Sequence, residues 1–423
     1  MTTIDIKERI SSANSVTVQR MMDSDPFLVD VDLAGKRIPN LKSKMILHAG
    51  PPIEWEDMSG TLRGAILGAI LLEKWADSIK EAEELVVLKK IEFDSCHNHS
   101  SVGPMAGVIS PNMPVFVIKD RLSQNYAYTN FNEGLGKALR FGAYDEEVLT
   151  KLNWMRENLF KFLKIILQKL EKEKGGIGLK SIISQALQMG DECHNRNQAG
   201  TLLFLKEIMP YIFSYLDRKQ ANELFSFISS NNHFFLNLVM AASKCMADQA
   251  HNIEYSTIVT AIARNGTEVG IRISGLGDQW FTDKAPIPKG LYFPGYSSKD
   301  ANPDIGDSTI TETVGLGGAA MAASPSIVKF VGGTIKDIQE MTNRFRRITI
   351  AKNRYYIIPF AEFEGTPTGI DIRKIMQSGL TPKANTGIAH KTPGIGQIGA
   401  GIVTLPIKPF KEALMSYART YKI

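Results

Sequence analysis

Polar and glycine residues occur together in short clusters between apolar segments, and one cluster contains a cysteine and two histidines. Thiolate and imidazole are the usual ligands of zinc, so Cys96, His97 and His99 could contribute to a metal site. In an extended strand, however, His97 and His99 point to one face and Cys96 to the other. No second Cys/His pair with zinc-finger spacing is present. We therefore predict no metal or other cofactor, and keep a site made of Cys96, His97 and His99 as the alternative.

The two imidazoles of this cluster can also act without a metal. They can donate hydrogen bonds to a substrate, or they can serve as a general acid and a general base. The plainer interpretation is that His97 and His99 only make hydrogen bonds within a loop, as most buried polar groups do.

A second cluster, GDECHNRNQAG, lies between two predicted helices. Free backbone N–H groups at the start of the second helix, together with Arg196, can hold a phosphate or a carboxylate. A helix–helix turn with asparagine caps uses the same N–H groups. Both interpretations remain open for this segment.

Further clusters combine arginine, asparagine and acidic residues with glycine. ARNGTE contains Asn265-Gly266, a strong turn signal, so Arg264 either binds a ligand or only flanks a hairpin. DSTITETVGLGGAAMAA lacks the full dinucleotide-binding fingerprint. Neither a phosphate-binding loop ending in Gly-Lys-Ser/Thr nor a Gly-x-Ser-x-Gly nucleophile elbow occurs. Each cluster alone can be turn chemistry, but several in one chain favour loops that carry binding residues.

The composition is that of an ordinary globular protein. The net charge is only +5 at pH 7 over 423 residues, which gives no reason to expect nucleic-acid binding. Three widely spaced cysteines do not make a disulfide framework and indicate a reducing compartment. The N-terminus lacks the apolar core of a signal peptide, and no apolar run reaches the roughly 20 residues that span a bilayer. We expect a cytoplasmic protein that does not bind membranes.

The elements that must position these clusters fall into three blocks. Residues 1–145 contain predicted strands at PFLVDVDL, KMILHAG and VFVIKD, and a long helix through TLRGAILGAILLEKWADSIKEAEELVVL that Ser59 caps. Residues 146–255 are successive helices with short polar breaks, and the first of them ends at Gly175-Gly176. Residues 256–423 are mixed again, with strands such as TIVTAIAR and AGIVTLPI and a helix at GGAAMAASPSIVKFV. The predicted fold class is α+β, with mixed α/β domains at both ends and a small all-helical domain between them.

Seven segments in order together resemble one bacterial family. They are HAGPPIEWEDMSGTLRGAILGA, CHNHSSVGPMAGVISPNMPVFV, NEGLGKALRFGAYDEEV, MGDECHNRNQAGT, TAIARNGTEVGIRISGLGDQWFT, GLYFPGYSSKDANPDIGDSTITETVGLGG and TPTGIDIRKI with NTGIAHKTPGIGQIGAG. The family was long catalogued only as a domain of unknown function. It includes the large subunit of the oxamate carbamoyltransferase of anaerobic allantoin degradation. The fold implied by the resemblance is mixed α and β with a small helical domain, in agreement with the three blocks.

The resemblance also implies a reaction and partners. Characterised members work with a subunit that resembles the α subunit of succinyl-CoA synthetase and with a smaller third subunit. Together they convert oxalurate and phosphate to oxamate and carbamoyl phosphate, so the expected ligands are small anions. The chain would then be the catalytic subunit of a carbamoyltransferase, and its association into a homo-oligomer is left open.

Phosphorolysis of a ureide needs cations for two anions, donors for an oxyanion and an acid for the leaving nitrogen. The candidates chosen on these chemical grounds are Arg196, Arg264 and Arg373 for anion binding, His97, His99 and His390 for oxyanion stabilisation and proton transfer, Asn195, Asn265, Thr267 and Asn385 for hydrogen bonds to the substrate, and Glu268 for orienting a base. The Ser-Thr-Arg-Thr motif with which aspartate and ornithine carbamoyltransferases bind phosphate is absent. Any shared activity would therefore be convergent.

Three other functions stay open at this point. The chain could be a non-catalytic scaffold of the same complex, with the chemistry on a partner. It could be a metal-dependent amidohydrolase that uses Cys96, His97 and His99 with the aspartates of DANPDIGD. It could also transfer the carbamoyl group of a different amide or ureide.

Overall fold

The computed structural model describes residues 3–423, apart from the side chains of residues 3–5 and 330. The first third of the chain consists of a long N-terminal helix followed by strands and shorter helices. Its elements are α1 (Thr3–Asp23), β1 (Pro26–Leu33), α2 (Ala34–Arg37), β2 (Met45–His48), α3 (Gly60–Leu72), α4 (Ile79–Val87), β3 (Glu92–Ser95), β4 (Ser101–Val102), β5 (Val108–Ile109), β6 (Pro114–Asp120) and β7 (Tyr126–Asn130).

The middle third is almost entirely helical. A π-helical turn at Met155–Leu159 joins its first two helices, and the second ends at Gly175 in the left-handed conformation that the Gly-Gly pair predicts. The elements are α5 (Glu146–Trp154), α6 (Phe160–Lys174), β8 (Ile177–Gly178), α7 (Leu179–Gln188), α8 (Gln198–Tyr215), α9 (Arg218–Ser229) and α10 (Phe234–Gln249).

The final third alternates short strands with helices. Its elements are β9 (Val259–Asn265), β10 (Glu268–Ile273), β11 (Phe281–Lys284), β12 (Lys289–Tyr292), β13 (Ile305–Gly306), α11 (Ile310–Thr313), α12 (Val328–Val331), α13 (Ile335–Ile348), β14 (Thr349–Ile358), β15 (Glu364–Ile370), α14 (Ile372–Ser378), β16 (Lys383–Ala389), β17 (Gln397–Thr404) and α15 (Lys408–Tyr421). Among residues 3–423, none of the helices combines the length with the hydrophobicity that a membrane span requires.

Several small sheets, rather than one large one, organise the chain. The largest has the order β4-β7-β6-β1-β8, and its long central pair runs antiparallel from Pro26 opposite Asp120 to Leu33 opposite Pro114. A second sheet has the order β11-β10-β9-β13, and a third has the order β12-β17-β16. Helices and mostly antiparallel strands in separate groups define an α+β fold, which confirms the predicted class.

The largest hydrophobic core joins elements from all three blocks of the chain. Leu28 of β1, Phe234 of α10 and Tyr356 of β14 all belong to it, and each is fully buried. Helix α10 is buried along nearly its whole length, because most of its residues are apolar and it lies between the sheet and the other helices. The domain boundaries 1–145, 146–255 and 256–423 stay a prediction, since the helices and the main sheet share this core.

Two local predictions differ from the structure, and one helix was not predicted. The unpredicted helix is α1, in which Ile10, Val18 and Met21 recur at helical spacing on a buried face. The long helix predicted after Ser59 is broken between α3 and α4, where Lys74 has a φ of +57°. The cap itself is confirmed, because Ser59 Oγ accepts a hydrogen bond from the Leu62 N–H at 3.4 Å.

The segment GGAAMAASPSIVKFV was predicted to be one helix and forms 3-10 turns followed by the short helix α12. The physical reason lies at its start. The Gly317 N–H donates to the backbone oxygen of Glu192 at 2.7 Å, and the Gly318 N–H donates to Glu312 Oε1 at 2.8 Å. The segment is therefore held against other loops, and those loops contain the candidate site.

Candidate active site

The loop between α7 and α8 holds a buried imidazole against a buried carboxylate. His194 Nδ1 lies 2.9 Å from Glu312 Oε1. The carboxylate is fixed in turn, because Thr311 Oγ1 donates to Glu312 Oε2 and the Gly318 N–H donates to Oε1, both at 2.8 Å. A carboxylate at Nδ1 favours the tautomer that carries its proton there, which leaves the lone pair on Nε2. Nε2 has no hydrogen-bond partner among the described residues, and the ring lines a cavity.

Glu192 organises the backbone of this loop. Its Oε1 accepts hydrogen bonds from the N–H groups of His194 at 3.1 Å and Arg196 at 3.0 Å, and also from the N–H of Asn195. Asn385 Nδ2 of β16 donates to the same oxygen at 3.0 Å. Burial raises the pKa of Glu192, and these donors act in the opposite direction. The loop is therefore tied to β16 through one carboxylate, and this holds His194 and Asn195 in place.

Segments that are distant in sequence meet around the cavity. Arg140 comes from the 3-10 turn Leu139–Phe141, His233 caps α10, and Gln397 begins β17. The lining residues are Pro104, Met105, Leu135, Arg140, Phe141, His194, Asn195, His233, Leu236, Ser308, Gly387 and Gln397. The cavity itself encloses only about 20 Å³, but two wider pockets of about 220 and 240 Å³ share Leu135 and His233 with it. A ligand larger than a water molecule would therefore extend from the cavity into these pockets.

Arg140 supplies a buried cation. Its side chain is only 4% exposed, and its Nε and Nη2 donate to the Gly134 carbonyl oxygen at 2.9 and 2.7 Å. Burial lowers the pKa of Arg140 to about 10, while the charge of Glu133 raises it, so the guanidinium stays charged at neutral pH. Glu133 accepts the Arg140 backbone N–H at 3.1 Å, but no carboxylate of the described residues forms an ion pair with the guanidinium. A buried cation without such a partner beside a cavity is a binding position for an anion.

Two amide groups in the cavity have unused hydrogen-bonding capacity. Asn195 Nδ2 is a buried donor and Gln397 Oε1 a buried acceptor, and neither has a partner among residues 3–423. An unsatisfied buried group of this kind costs about 1–3 kcal/mol, so each is expected to be paired by a ligand or a water molecule. Burial lowers the pKa of His233 to about 3, helped by the charge of Arg140. His233 is therefore neutral, and Arg140 is the cation of the cavity.

The structure brings two of the sequence-predicted residues to this site and a third beside it. Asn195 lines the cavity, and Asn385 supports the loop behind it through Glu192. Arg196 lines an adjacent pocket that shares Asn195 and His233 with the cavity. Its Nε donates to the Gly190 carbonyl oxygen at 3.1 Å, so Arg196 is partly engaged by its own loop.

Arg264, a predicted anion-binding residue, is fully buried and engaged within the protein. Its Nε donates to Asp304 Oδ2 at 2.8 Å and its Nη1 to the Gly306 carbonyl oxygen at 2.6 Å. Its Nη2 lies 3.3 Å from Asp304 Oδ1 and 3.5 Å from Ser308 Oγ. Arg264 therefore shapes the 304–308 segment and positions Ser308 at the cavity, but it does not line the cavity itself.

Asn265, Thr267 and Glu268 form the turn between β9 and β10, as in the hairpin interpretation of ARNGTE. Asn265 Oδ1 accepts the N–H groups of Thr267 at 3.0 Å and Glu268 at 2.7 Å. Thr267 Oγ1 donates to the Asp57 carbonyl oxygen at 2.8 Å, and Glu268 Oε1 accepts from Thr282 Oγ1 at 3.0 Å. None of the three lines the cavity.

Three more predicted residues lie in other surroundings. His99 lies between Asp94 Oδ2 at 3.0 Å and the Pro39 carbonyl oxygen at 2.8 Å, and its hydrogen bond to the Asp94 carboxylate raises the pKa of His99. His390 Nδ1 accepts the Thr392 N–H at 2.9 Å. Arg373 pairs with Asp371, where its Nη2 lies 2.7 Å from Oδ2. None of the three lines the cavity.

The metal alternative receives no geometric support. Cys96 to His99 form a 3-10 turn rather than a strand, and His97 and His99 have different acidic neighbours, Asp307 and Asp94. Across residues 3–423, no group of three or more His, Cys, Asp or Glu side chains is arranged to hold a metal ion.

Sequence reasoning did not select His194, Glu312, Arg140, His233 or Gln397. His194 and Glu312 both lie in polar clusters that were recognised as candidate binding loops, and Arg140 lies in the family motif NEGLGKALRFGAY. The sequence therefore indicated the segments that contain these residues. It did not indicate that His194 contacts Glu312, because 118 positions separate the two residues.

Asp191 makes the stability of this loop dependent on pH. Burial, with the charge of Glu192, raises its pKa to about 7, whereas the ordinary value in an unfolded chain is about 4. The folded protein therefore binds this proton more tightly, and stability falls as the pH rises from about 4 through 7. Between about pH 5 and pH 8, the free energy of unfolding of the parent is therefore expected to fall further than that of Asp191→Asn, by on the order of 2 kcal/mol. Urea unfolding of both proteins at these pH values measures the difference, and parallel curves would contradict it.

Comparison with known proteins identifies relatives over nearly the whole chain. Residues 91–308 match the family model described as oxamate carbamoyltransferase subunit AllG. The chain is 42% identical over 419 residues to oxamate carbamoyltransferase subunit AllG of Escherichia coli K12, covering 98% of this chain and 99% of that protein. It is 44% identical over 419 residues to the uncharacterized protein YahG of the same strain, covering 99% and 88%. A crystal structure of a conserved protein of unknown function from Enterococcus faecalis V583 matches with a TM-score of 0.96 at 45% identity, over 98% of this chain and 99% of that one.

Proposed function

Because the chain belongs to the family of oxamate carbamoyltransferase subunit AllG, we propose that it carries the active site of such a transferase. The proposed reaction moves the carbamoyl group of oxalurate to phosphate and yields oxamate and carbamoyl phosphate. One observation carries the proposal. The His194 imidazole is oriented by Glu312 and faces the same cavity as the buried, unpaired cation of Arg140.

Substrate binding in this proposal uses the unpaired groups of the cavity. The Arg140 guanidinium holds a phosphate or carboxylate oxygen, since such charge-assisted hydrogen bonds are the strong ones. Gln397 Oε1 accepts a hydrogen bond from the carbamoyl NH₂, and Asn195 Nδ2 donates to the carbonyl oxygen that becomes negative. Buried groups without partners in the protein are suited to this role, because a ligand satisfies them.

The chemical step exchanges one bond for another. A phosphate oxygen attacks the carbamoyl carbon, a C–O bond forms, and the C–N bond to the oxamate nitrogen breaks with both electrons going to nitrogen. His194 Nε2 takes the proton of the attacking hydrogen phosphate and returns it to the leaving nitrogen. Glu312 stabilises the imidazolium that exists between the two transfers and keeps the ring in its orientation.

Partner subunits complete the proposed enzyme. Following the family resemblance, the proposed enzyme contains this chain, one subunit like the α subunit of succinyl-CoA synthetase and one smaller subunit. The complex is proposed to act in the cytoplasm. Assays of the reaction therefore use the assembled complex, with carbamoyl phosphate detected through carbamate kinase as ATP formed from ADP.

Arg140→Gln tests the anion site. Loss of a buried charge-assisted contact is expected to raise the KM for phosphate or for oxalurate by about a hundredfold, with a smaller change in kcat. Arg140→Lys keeps the charge and should recover part of the loss. Arg373→Gln is the matched control, because Arg373 is one-third exposed and lines neither the cavity nor its adjacent pocket, and its KM values should stay close to those of the parent. Unchanged KM values for both substrates in Arg140→Gln would remove Arg140 from substrate binding.

A further inference from the structure

A second cleft, of about 210 Å³, lies close to the candidate active site without being part of it. We call it the rear cleft, and its polar lining includes His97, Asn125, Lys244, His251, Thr260 and Arg272. One loop connects the two places, since Asp307 Oδ1 lies 3.4 Å from His97 Nε2 and the next residue, Ser308, lines the active-site cavity. The proposed carbamoyl transfer uses no residue of the rear cleft.

Basic groups with unused hydrogen-bonding capacity surround the rear cleft. Arg272 is 3% exposed, and its guanidinium lies over the Trp280 ring, 4.4 Å from the centroid. Arg272 Nε and His97 Nδ1 are both buried and have no hydrogen-bond partner among residues 3–423. Lys244 is also buried, but its Nζ lies 2.6 Å from Asp248 Oδ1 and is neutralised there. Arg272 is therefore the cation that the cleft can offer to a ligand.

The carboxylate of Asp278 occupies the place where a ligand would meet Arg272. Its Oδ1 lies 3.3 Å from Arg272 Nη1 and 3.1 Å from His251 Nε2, although the Asp278 side chain is 79% exposed. Asp278 follows Gly277, whose φ of +58° is in the left-handed region. Because the Asp278 side chain lies mostly in water, its carboxylate stays hydrated when a free anion takes its place beside the buried Arg272 guanidinium.

We propose that the rear cleft binds a small organic carboxylate, whose carboxylate group replaces that of Asp278 between Arg272 and His251. Two observations favour a monoanion. The charged lining residues other than Asp278 are Lys244, Arg272 and Asp248, so a single negative charge leaves the lining neutral. The position is already filled by a carboxylate of the protein itself, in contact with a guanidinium and an imidazole. The volume of the cleft suits a molecule of only a few heavy atoms, because larger ligands occupy pockets of about 300 Å³ or more.

The test is a titration of the full chain, labelled with ¹³C in its histidine rings and followed by NMR. The probes are acetate and oxamate as carboxylates, and inorganic phosphate as the competing anion. Both carboxylates are expected to shift the resonances of His251 and His97, and phosphate to shift them less at equal concentration. Asp278→Ala removes the internal competitor on an exposed side chain and should tighten carboxylate binding by about tenfold.

Arg272→Gln serves as the loss-of-binding variant because it removes the cation, and its thermal unfolding shows whether it is folded. A folded Arg272→Gln protein should no longer show the His251 shift. The proposal is overturned if carboxylates shift only His194 and His233, if phosphate shifts His251 as strongly as they do, or if Asp278→Ala binds no more tightly than the parent. These readouts need no turnover, so their failure is independent of the proposed transferase reaction.

Discussion

Replacement of His194 by glutamine is expected to lower the kcat of carbamoyl transfer by about a thousandfold, the range of general acid–base catalysis. Glutamine fills a similar volume and can still hydrogen-bond Glu312, but it cannot accept a proton from hydrogen phosphate and return it to the leaving nitrogen. Substrate binding should persist, because Arg140 and Asn195 are untouched and contribute the anion and oxyanion contacts. The loss is therefore expected in kcat rather than in KM.

His390→Gln is the matched control for this prediction. His390 was a candidate catalytic residue on sequence grounds, yet it accepts a hydrogen bond from the Thr392 N–H and does not line the cavity. We expect full turnover in this variant, measured in the same complex. Undiminished turnover in His194→Gln would instead assign the chemistry to a partner subunit and make this chain a scaffold.

Arg264→Gln is expected to lower the free energy of unfolding by about 3–5 kcal/mol. The Arg264 guanidinium and the Asp304 carboxylate are both fully buried, with 2.8 Å between Nε and Oδ2. Removal of the cation leaves a buried charge without its partner and also breaks the hydrogen bond to the Gly306 carbonyl oxygen. The midpoint of denaturant unfolding, followed by tryptophan fluorescence, measures the effect.

Arg373→Gln is the comparison for Arg264→Gln, because it also removes an arginine from an aspartate. Arg373 is one-third exposed, and the buried Asp371 carboxylate keeps its hydrogen bonds from Thr257 Oγ1 and Asn14 Nδ2, so the expected loss is smaller, about 1–2 kcal/mol. The double change Arg264→Met with Asp304→Leu should recover much of the stability lost in Arg264→Gln, since no unpaired charge remains. If Arg264→Gln unfolds at the same denaturant concentration as the parent but binds phosphate more weakly, Arg264 binds substrate as the sequence predicted.

Local patterns were sufficient for a large part of the fold. The strand at PFLVDVDL forms β1 at Pro26–Leu33, the cap at Ser59 is present, and the helix that follows Asp145 ends at Gly175. These features depend on side-chain alternation, capping groups and left-handed glycine, which act over a few residues. The break between α3 and α4 was missed, because Glu73 is held there by Ser110 Oγ and the Asn112 N–H from a distant strand connection.

The residues of the candidate site could not be identified from local patterns. Arg196 and Arg264 lie in polar clusters and Arg140 lies in a motif of the family resemblance. The sequence around these arginines does not distinguish a buried ion pair from a cation without a carboxylate partner. Only the tertiary structure places Asp304 against Arg264 and leaves Arg140 beside a cavity without a carboxylate partner. The desolvation of a charge depends on everything packed around it, and this packing involves segments far apart along the chain.

By itself, the sequence determined the fold class, most of the helices and strands, and the family. Helices and strands depend on short local patterns, and the family is identified by long motifs. The tertiary structure alone decided which histidine meets which carboxylate. His194 and Glu312 are separated by 118 positions, and their contact exists because Glu192 ties the 190–197 loop to β16 and to the glycine turn at Gly317. Such a contact depends on the packing of the whole core, and no local pattern encodes it.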